Sequence, residues 1–322
     1  MKILVAMEVT EKHKTLIEAA AGTNTVVYAD VQGPVSALVK PQDLADAEVI
    51  IGNVKPSLLQ QAKQLRWLQL NSAGANTYCG DGILPAGTLL TNATGAYGLA
   101  LAEHMLAQLL AMMKRLYAYY DNQKQALWRD EGPVTSLYGA TAVIVGYGDI
   151  GSQLGRRLQA LGTHVIGIRR RSVTPAQGAD EMALITDLDR QLAKADIVAS
   201  CLPDTPETYH LYDAARFGKM KKGAWFLNIG RGSNVVQQDL CAAVTSGHLA
   251  GAAVDVTDPE PLPAADPLWR TEGIYITPHI SGGYHVAATH DAIVRIAVDN
   301  LKAYINGKPL QNEVDFTTGY KK

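Results

Sequence analysis

The segment that most constrains this chain is Gly146-Tyr147-Gly148-Asp149-Ile150-Gly151, set between a β-type run, Thr141–Val145, and a helical pattern closing at Leu161-Gly162. A GxGxxG alone is weak, because any tight strand-to-helix turn can collect glycines. Here a strand precedes it, a helix follows, and a further β-type run begins at His164. That context is the one in which such a loop holds a dinucleotide. The first glycine makes the turn and the second lets backbone approach the pyrophosphate. The third packs helix on strand, while the helix N-terminus faces the anion. Gly146, Gly148, Asp149, Ile150 and Gly151 are the expected cofactor contacts, and a merely tight turn is the alternative.

Such a loop needs a doubly wound sheet around it, and the chain alternates accordingly. Lys2–Ala6, Thr25–Tyr28, Val49–Gly52, Trp67–Leu70 and Leu89–Thr91 read as strands of a first small parallel sheet. Ala142–Val145, His164–Ile168, Ile197–Cys201, Trp225–Ile229, Ala252–Val256 and Ile274–Ile276 read as six strands of a second. Helical patterns from about Tyr97 to Tyr120 and from about Tyr284 to Ile305 flank the second unit and read as bridges. The expectation is two parallel-sheet α/β domains with the second inserted into the first: 1–95 plus 289–322, and 96–288. A chain of 322 residues is long enough for two cores.

Composition removes several function classes. A net charge of −2 with no long basic block argues against nucleic acid and anionic membrane as partners. Cys79, Cys201 and Cys241 are odd in number and far apart, so neither a disulfide framework nor a thiolate zinc site is expected, and a cytoplasmic setting is. The most apolar stretch, Leu99–Met113, carries Glu103 and His104 and falls short of the ~20 residues of a membrane span. His285 and His290 are off the spacing that puts a ligand pair on one helical face, and no metal is expected.

Cofactor choice should be written at the end of the strand after the glycine loop, where an acid would accept from an NAD ribose 2′-hydroxyl. The chain instead reads Ile168-Arg169-Arg170-Arg171. Forked guanidinium donors suit a 2′-phosphate, hence NADP(H) preferred with NAD(H) possible. A solvated basic loop is the alternative reading.

Three further residues follow successive β-runs: Arg231 after Asn228-Ile229-Gly230, Glu260 in Asp258-Pro259-Glu260-Pro261, and His279 in Thr277-Pro278-His279. All fall at carboxyl ends of strands, the ligand edge of a doubly wound sheet. Reducing a ketone needs a proton donor beside the oxygen that gains charge, and imidazolium serves at neutral pH. A neighbouring carboxylate favours the protonated ring and orients it; a guanidinium can clamp a substrate carboxylate. Singly, each has a bland reading as a surface or packed residue.

Together, GYGDIG, Met220–Gly232 (MKKGAWFLNIGRG), Ala252–Pro263 (AAVDVTDPEPLP) and Ile276–Gly282 (ITPHISG) make the chain resemble the D-isomer-specific 2-hydroxyacid dehydrogenase family over nearly its whole length. The resemblance implies a Rossmann cofactor domain inserted into a flavodoxin-like substrate domain. It implies that Arg231 binds substrate, that Glu260 supports the histidine and that His279 is the general acid or base. Asn71-Ser72-Ala73-Gly74-Ala75-Asn76 resembles the family's carboxylate-binding loop, with backbone N–H groups around Ala73, Gly74 and Ala75 holding the anion. Leu202, Pro203, Asp255 and Ser281 join the cofactor contacts on the same ground, although Asp255 also reads as a buried acid capping a turn. Family dimers use the stretch after the first bridging helix, which implies a homodimer through about Leu106–Pro133; burial of that stretch between the chain's own two domains is the alternative. Arg169 stands where NAD-dependent members carry an acid. The expected activity is hydride transfer between NADP(H) and a small 2-keto or D-2-hydroxy acid. Alternatives are a glyoxylate or hydroxypyruvate reductase of the same mechanism and a nucleotide-sensing module without turnover.

Overall fold

The computed structural model describes residues 1–31 and 37–321. Its contacts divide the chain into two compact units, Met1–Tyr97 with Gly283–Lys322, and Gly98–Gly282.

The first unit runs β1 (Lys2–Val5), α1 (Glu11–Ala21), β2 (Thr25–Tyr28), β3 (Asp30–Val31), β4 (Ala37–Leu38), α2 (Pro41–Ala45), β5 (Val49–Ile51), α3 (Pro56–Leu59), β6 (Trp67–Gln69) and β7 (Leu89–Thr91). Its sheet has five parallel strands in the order β2-β1-β5-β6-β7, the flavodoxin-like order, with β3 and β4 forming a small antiparallel pair aside. The inner strands are apolar on both faces because helices cover both. Leu4, Ile50, Leu68 and Leu90 belong to the core on one face, and Ile3, Val5, Val49, Ile51 and Trp67 to the core on the other. Thr10 caps α1 by accepting from the His13 backbone N–H.

The second unit runs α4 (Gly98–Met113), α5 (Leu116–Lys124), β8 (Thr141–Val145), α6 (Asp149–Ala160), β9 (His164–Arg169), β10 (Glu181–Leu184), α7 (Leu188–Leu192), β11 (Ile197–Ser200), α8 (Ala214–Phe217), β12 (Ala224–Asn228), α9 (Gln237–Thr245), β13 (Leu249–Val254) and β14 (Ile274–Ile276). Seven parallel strands lie in the order β10-β9-β8-β11-β12-β13-β14, so the order reverses between β8 and β11. A ligand crevice opens at such a switch point, outside the carboxyl ends of the strands. The sequence pattern shows six of these strands. The seventh, β10, is an edge strand in which only Ala183 is buried, so it carries no apolar run to read.

One expected helix is two. The pattern from Tyr97 to Tyr120 breaks at Arg115, whose φ of 54° is left-handed, with no glycine or proline at that point to announce it. The chain then returns to the first unit through α10 (Ala287–Ile305), which lays Ile293, Val294, Ala297, Val298 and Leu301 onto the sheet. A short antiparallel pair, β15 (Val314–Asp315) with β16 (Tyr320–Lys321), follows. Among the described residues no helix is long and apolar enough to cross a membrane.

Candidate active site

At the switch point the glycine loop is fixed by close backbone approaches. Gly146 has φ +91°, and a Cβ there would lie 2.6 Å from the Cys201 carbonyl oxygen, in the loop after β11. A Cβ at Gly151 would lie 2.8 Å from the Gly146 carbonyl, whereas Gly148 has open space around it. Two glycines are therefore required by packing, and the middle one leaves room for a ligand to meet backbone. α6 starts at Asp149, so the first-turn amides of Asp149, Ile150 and Gly151 have no carbonyl partner within the helix and face the loop. The Asp149 carboxylate turns elsewhere: it accepts from the Gly98 N–H at 2.9 Å, at the start of α4. Burial raises its pKa above the usual carboxylate value. Leu202 and Pro203 continue the loop beside Gly146, and a Cβ at Gly230 would lie 2.7 Å from the Leu202 nitrogen. The loops after β8, β11 and β12 thus converge.

Arg169 is the last residue of β9, and its Nε donates to the Tyr147 carbonyl at 2.8 Å. Arg170 and Arg171 are exposed in the segment that follows. These donors and the glycine loop could hold a nicotinamide dinucleotide.

Asn228, Val254 and Ile276, the last residues of β12, β13 and β14, lie abreast in the sheet. Arg231 and His279 each come three residues beyond these ends (231 − 228 and 279 − 276), with the Glu260 loop between them. His279 Nδ1 and Glu260 Oε2 are 2.8 Å apart, and Glu260 Oε1 accepts from the Thr257 N–H at 3.1 Å. The carboxylate is held at both oxygens, and with Nδ1 committed, Nε2 is the nitrogen left for a ligand. Arg231 Nη1 donates to its neighbour's carbonyl, Gly230 O, at 2.7 Å. Among the described residues no carboxylate forms an ion pair with Arg231, so part of a guanidinium fork is open to an anion. A Cβ at Gly232 would lie 2.6 Å from Asp258 N, which keeps the Arg231 loop against the loop that carries Glu260.

His279 itself has φ 52°, and its N–H is bonded to the Asp255 carbonyl at 2.8 Å. Asp255 is 3% exposed, and its carboxylate is taken up by the turn around His279. It accepts from Thr277 Oγ1 (2.5 Å), from the Ile280 and Ser281 N–H groups (both 3.2 Å) and from Ser281 Oγ. Asp255 thus caps this turn, with Ser281 as one of its donors. His104, on α4, meets Thr277 Oγ1 at 3.1 Å. Neither His104 nor Thr277 carries a motif that would have signalled this.

In the first unit, four successive carbonyls of the Asn71–Ala75 loop are tied back. Tyr97 O–H donates to Asn71 O, Ala93 N–H to Ser72 O (2.9 Å), Asn92 Nδ2 to Ala73 O (2.8 Å) and Ser72 Oγ to Gly74 O (2.8 Å). Asn71 Nδ2 also donates to the Tyr284 hydroxyl. Among the described residues no group accepts from the N–H groups of Ala73, Gly74 and Ala75, a disposition suited to an anion.

The family model for the NAD binding domain of D-isomer specific 2-hydroxyacid dehydrogenase matches residues 106–281, more than half of the chain and all within the second unit. The chain belongs to this family. A glyoxylate/hydroxypyruvate reductase B of Escherichia coli is 32% identical over 279 residues, covering 84% of this chain and 85% of the relative. Among solved structures, a D-isomer specific 2-hydroxyacid dehydrogenase family protein from Aeromonas salmonicida superposes with a TM-score of 0.86 at 33% identity, covering 98% of this chain and 99% of that one. A family member from Xanthobacter autotrophicus, in complex with NADPH and MES, gives a TM-score of 0.81 at 25% identity, with 99% of both chains covered.

Proposed function

We propose that this family member is an NADP(H)-preferring reductase that converts a small 2-keto acid to its D-2-hydroxy acid. The observation that carries this reading is the 2.8 Å pairing of His279 Nδ1 with Glu260, one strand end away from the partly open guanidinium of Arg231. The bound nicotinamide supplies or accepts the hydride. His279 Nε2 donates a proton to the ketone oxygen in reduction and takes it back in oxidation, so the two directions need opposite protonation states of the ring. Glu260 holds that ring in orientation, and Arg231 clamps the substrate carboxylate and polarises the adjacent carbonyl. In the first unit, the amides of Ala73, Gly74 and Ala75 are disposed to hold a carboxylate.

Similarity to the E. coli glyoxylate/hydroxypyruvate reductase B favours glyoxylate or hydroxypyruvate as a second, narrower reading. The deciding experiment is a panel of 2-keto acids, including both, assayed with NADPH and NADH. Turnover confined to those two selects the narrower reading. Cofactor binding with negligible turnover across the whole panel rejects the enzyme and favours a nucleotide sensor.

A further inference from the structure

Tyr147 is the variable second position of the glycine fingerprint and is 1% exposed. Its ring occupies a slot between α6 and β9 that two glycines leave open. A Cβ at Gly167 would lie 2.7 Å from the ring, and one at Gly155 would collide with the hydroxyl. From this slot Tyr147 reaches both ends of the segment that carries the arginines. At one end its carbonyl accepts from Arg169 Nε at 2.8 Å, and the guanidinium carbon stands 6.0 Å from the ring centroid. At the other its hydroxyl donates to the Gln177 carbonyl at 3.1 Å. Burial pushes the phenol up to about 12, so it stays a neutral donor at physiological pH. The residue after Gln177 is Gly178, at φ +80°, where a Cβ would lie 2.5 Å from the Arg156 nitrogen, so the tethered end is also packed on α6. Between the two anchors Arg170 and Arg171 lie exposed.

An exposed loop that must present long side chains to a phosphate loses conformational freedom on binding, and anchoring it beforehand lowers that cost. We propose that Tyr147 is a positioning residue for cofactor choice, holding both ends of the 169–177 segment so that its arginines stand ready for a 2′-phosphate. This rests on the NADP(H) reading of those arginines. A plain core residue would affect both nicotinamide dinucleotides alike, because NADH and NADPH share everything but the 2′-phosphate.

Calorimetric titration of NADPH and of NADH into the unmutated protein, Tyr147→Phe and Tyr147→Leu separates the cases. Tyr147→Phe keeps the ring under Arg169 and removes the tether to Gln177; its NADPH Kd should rise about 3- to 10-fold, the scale of one lost hydrogen bond. Tyr147→Leu should weaken NADPH further, by roughly 10- to 100-fold, and both should leave the NADH Kd within about twofold. Equal weakening of the two cofactors, or an unchanged NADPH-to-NADH ratio in Tyr147→Phe, overturns the positioning role while leaving the NADP(H) reading intact. Equal binding of NADPH and NADH by the unmutated protein overturns that reading and this inference with it. Should Tyr147→Leu fail to fold, the Tyr147→Phe ratio decides.

Discussion

Glu260 and His279 leave the ends of neighbouring parallel strands and meet at 2.8 Å, Oε2 to Nδ1, with their side chains 39% and 48% exposed. A contact this open to water adds little to stability, and on the proposed reading its role is to aim the imidazole. His279→Gln should therefore leave NADPH affinity unchanged and lower turnover by roughly 10²–10⁴. Glu260→Gln should lower kcat less, since the ring remains but loses its guide. Steady-state kinetics beside cofactor titrations would check this. Turnover of His279→Gln above about a tenth of normal would remove His279 from the proton-transfer role.

Arg231→Lys keeps a positive charge and loses the planar fork. It should raise KM and lower kcat/KM for 2-keto acids by roughly 10- to 100-fold. An uncharged ketone analogue gives the control, because it offers no carboxylate to clamp. If the analogue suffers as much as the acid, Arg231 is a structural residue.

At the end of β9, two well-made arginine contacts to a 2′-phosphate should give NADPH at least a ~10²-fold advantage over NADH in kcat/KM. Added salt should weaken NADPH binding more than NADH binding. Arg169→Asp should invert the preference by removing attraction and adding repulsion. A variant that still favours NADPH would show that Arg170 and Arg171 suffice.

Trp128 is fully exposed, and Leu116, Tyr120, Leu127 and Val134, near it in sequence, are also exposed apolar side chains. Clusters of this kind mark association surfaces. The expected assembly is a two-fold dimer through the 106–133 region. Light scattering at micromolar concentration should give twice the chain mass, and Trp128→Glu should shift it toward the monomer. A monomer mass for the unmutated protein would reject the dimer.

In the first unit, Asp291 on α10 takes Lys12 Nζ and buried His13 Nε2 from α1, each at 2.7 Å. The Lys12 hydrogen bond first, and that of His13 next, hold its carboxyl down at about 2. A carboxyl depressed on folding stabilises the fold above its ordinary pKa of about 3.9, and that stability drains away as pH falls toward about 2. Asp291→Asn should lower the melting temperature near pH ~6, and the difference from the unmutated protein should close as both approach pH ~2. A gap that persists at the acid end would assign the loss to packing rather than to the ionised pair.

What the sequence determined by itself was whatever local pattern and chain direction control. Apolar runs of four or five residues, each followed by a turn, specify buried parallel strands. In a parallel sheet all carboxyl ends lie on one edge, so Arg231, Glu260 and His279 could be assigned to that edge without knowing the strand order. The glycine loop was legible for a similar reason, since Gly146 and Gly151 are demanded by contacts within one strand-turn-helix unit and its neighbouring strand. The tertiary structure decided what depends on partners remote in sequence. Asp255 gives its oxygens to Thr277, Ile280 and Ser281, more than twenty positions on, and His104 meets Thr277 across more than 170 positions. Tyr97, Ala93 and Asn92 turn the carbonyls of residues 71–73 aside from similar distances. The helix break at Arg115 and the edge strand Glu181–Leu184 were likewise hidden, the first lacking a punctuating residue and the second an apolar run. Periodicity reports which face of an element is buried, whereas the direction of a hydrogen bond is set by which distant group the fold brings opposite it.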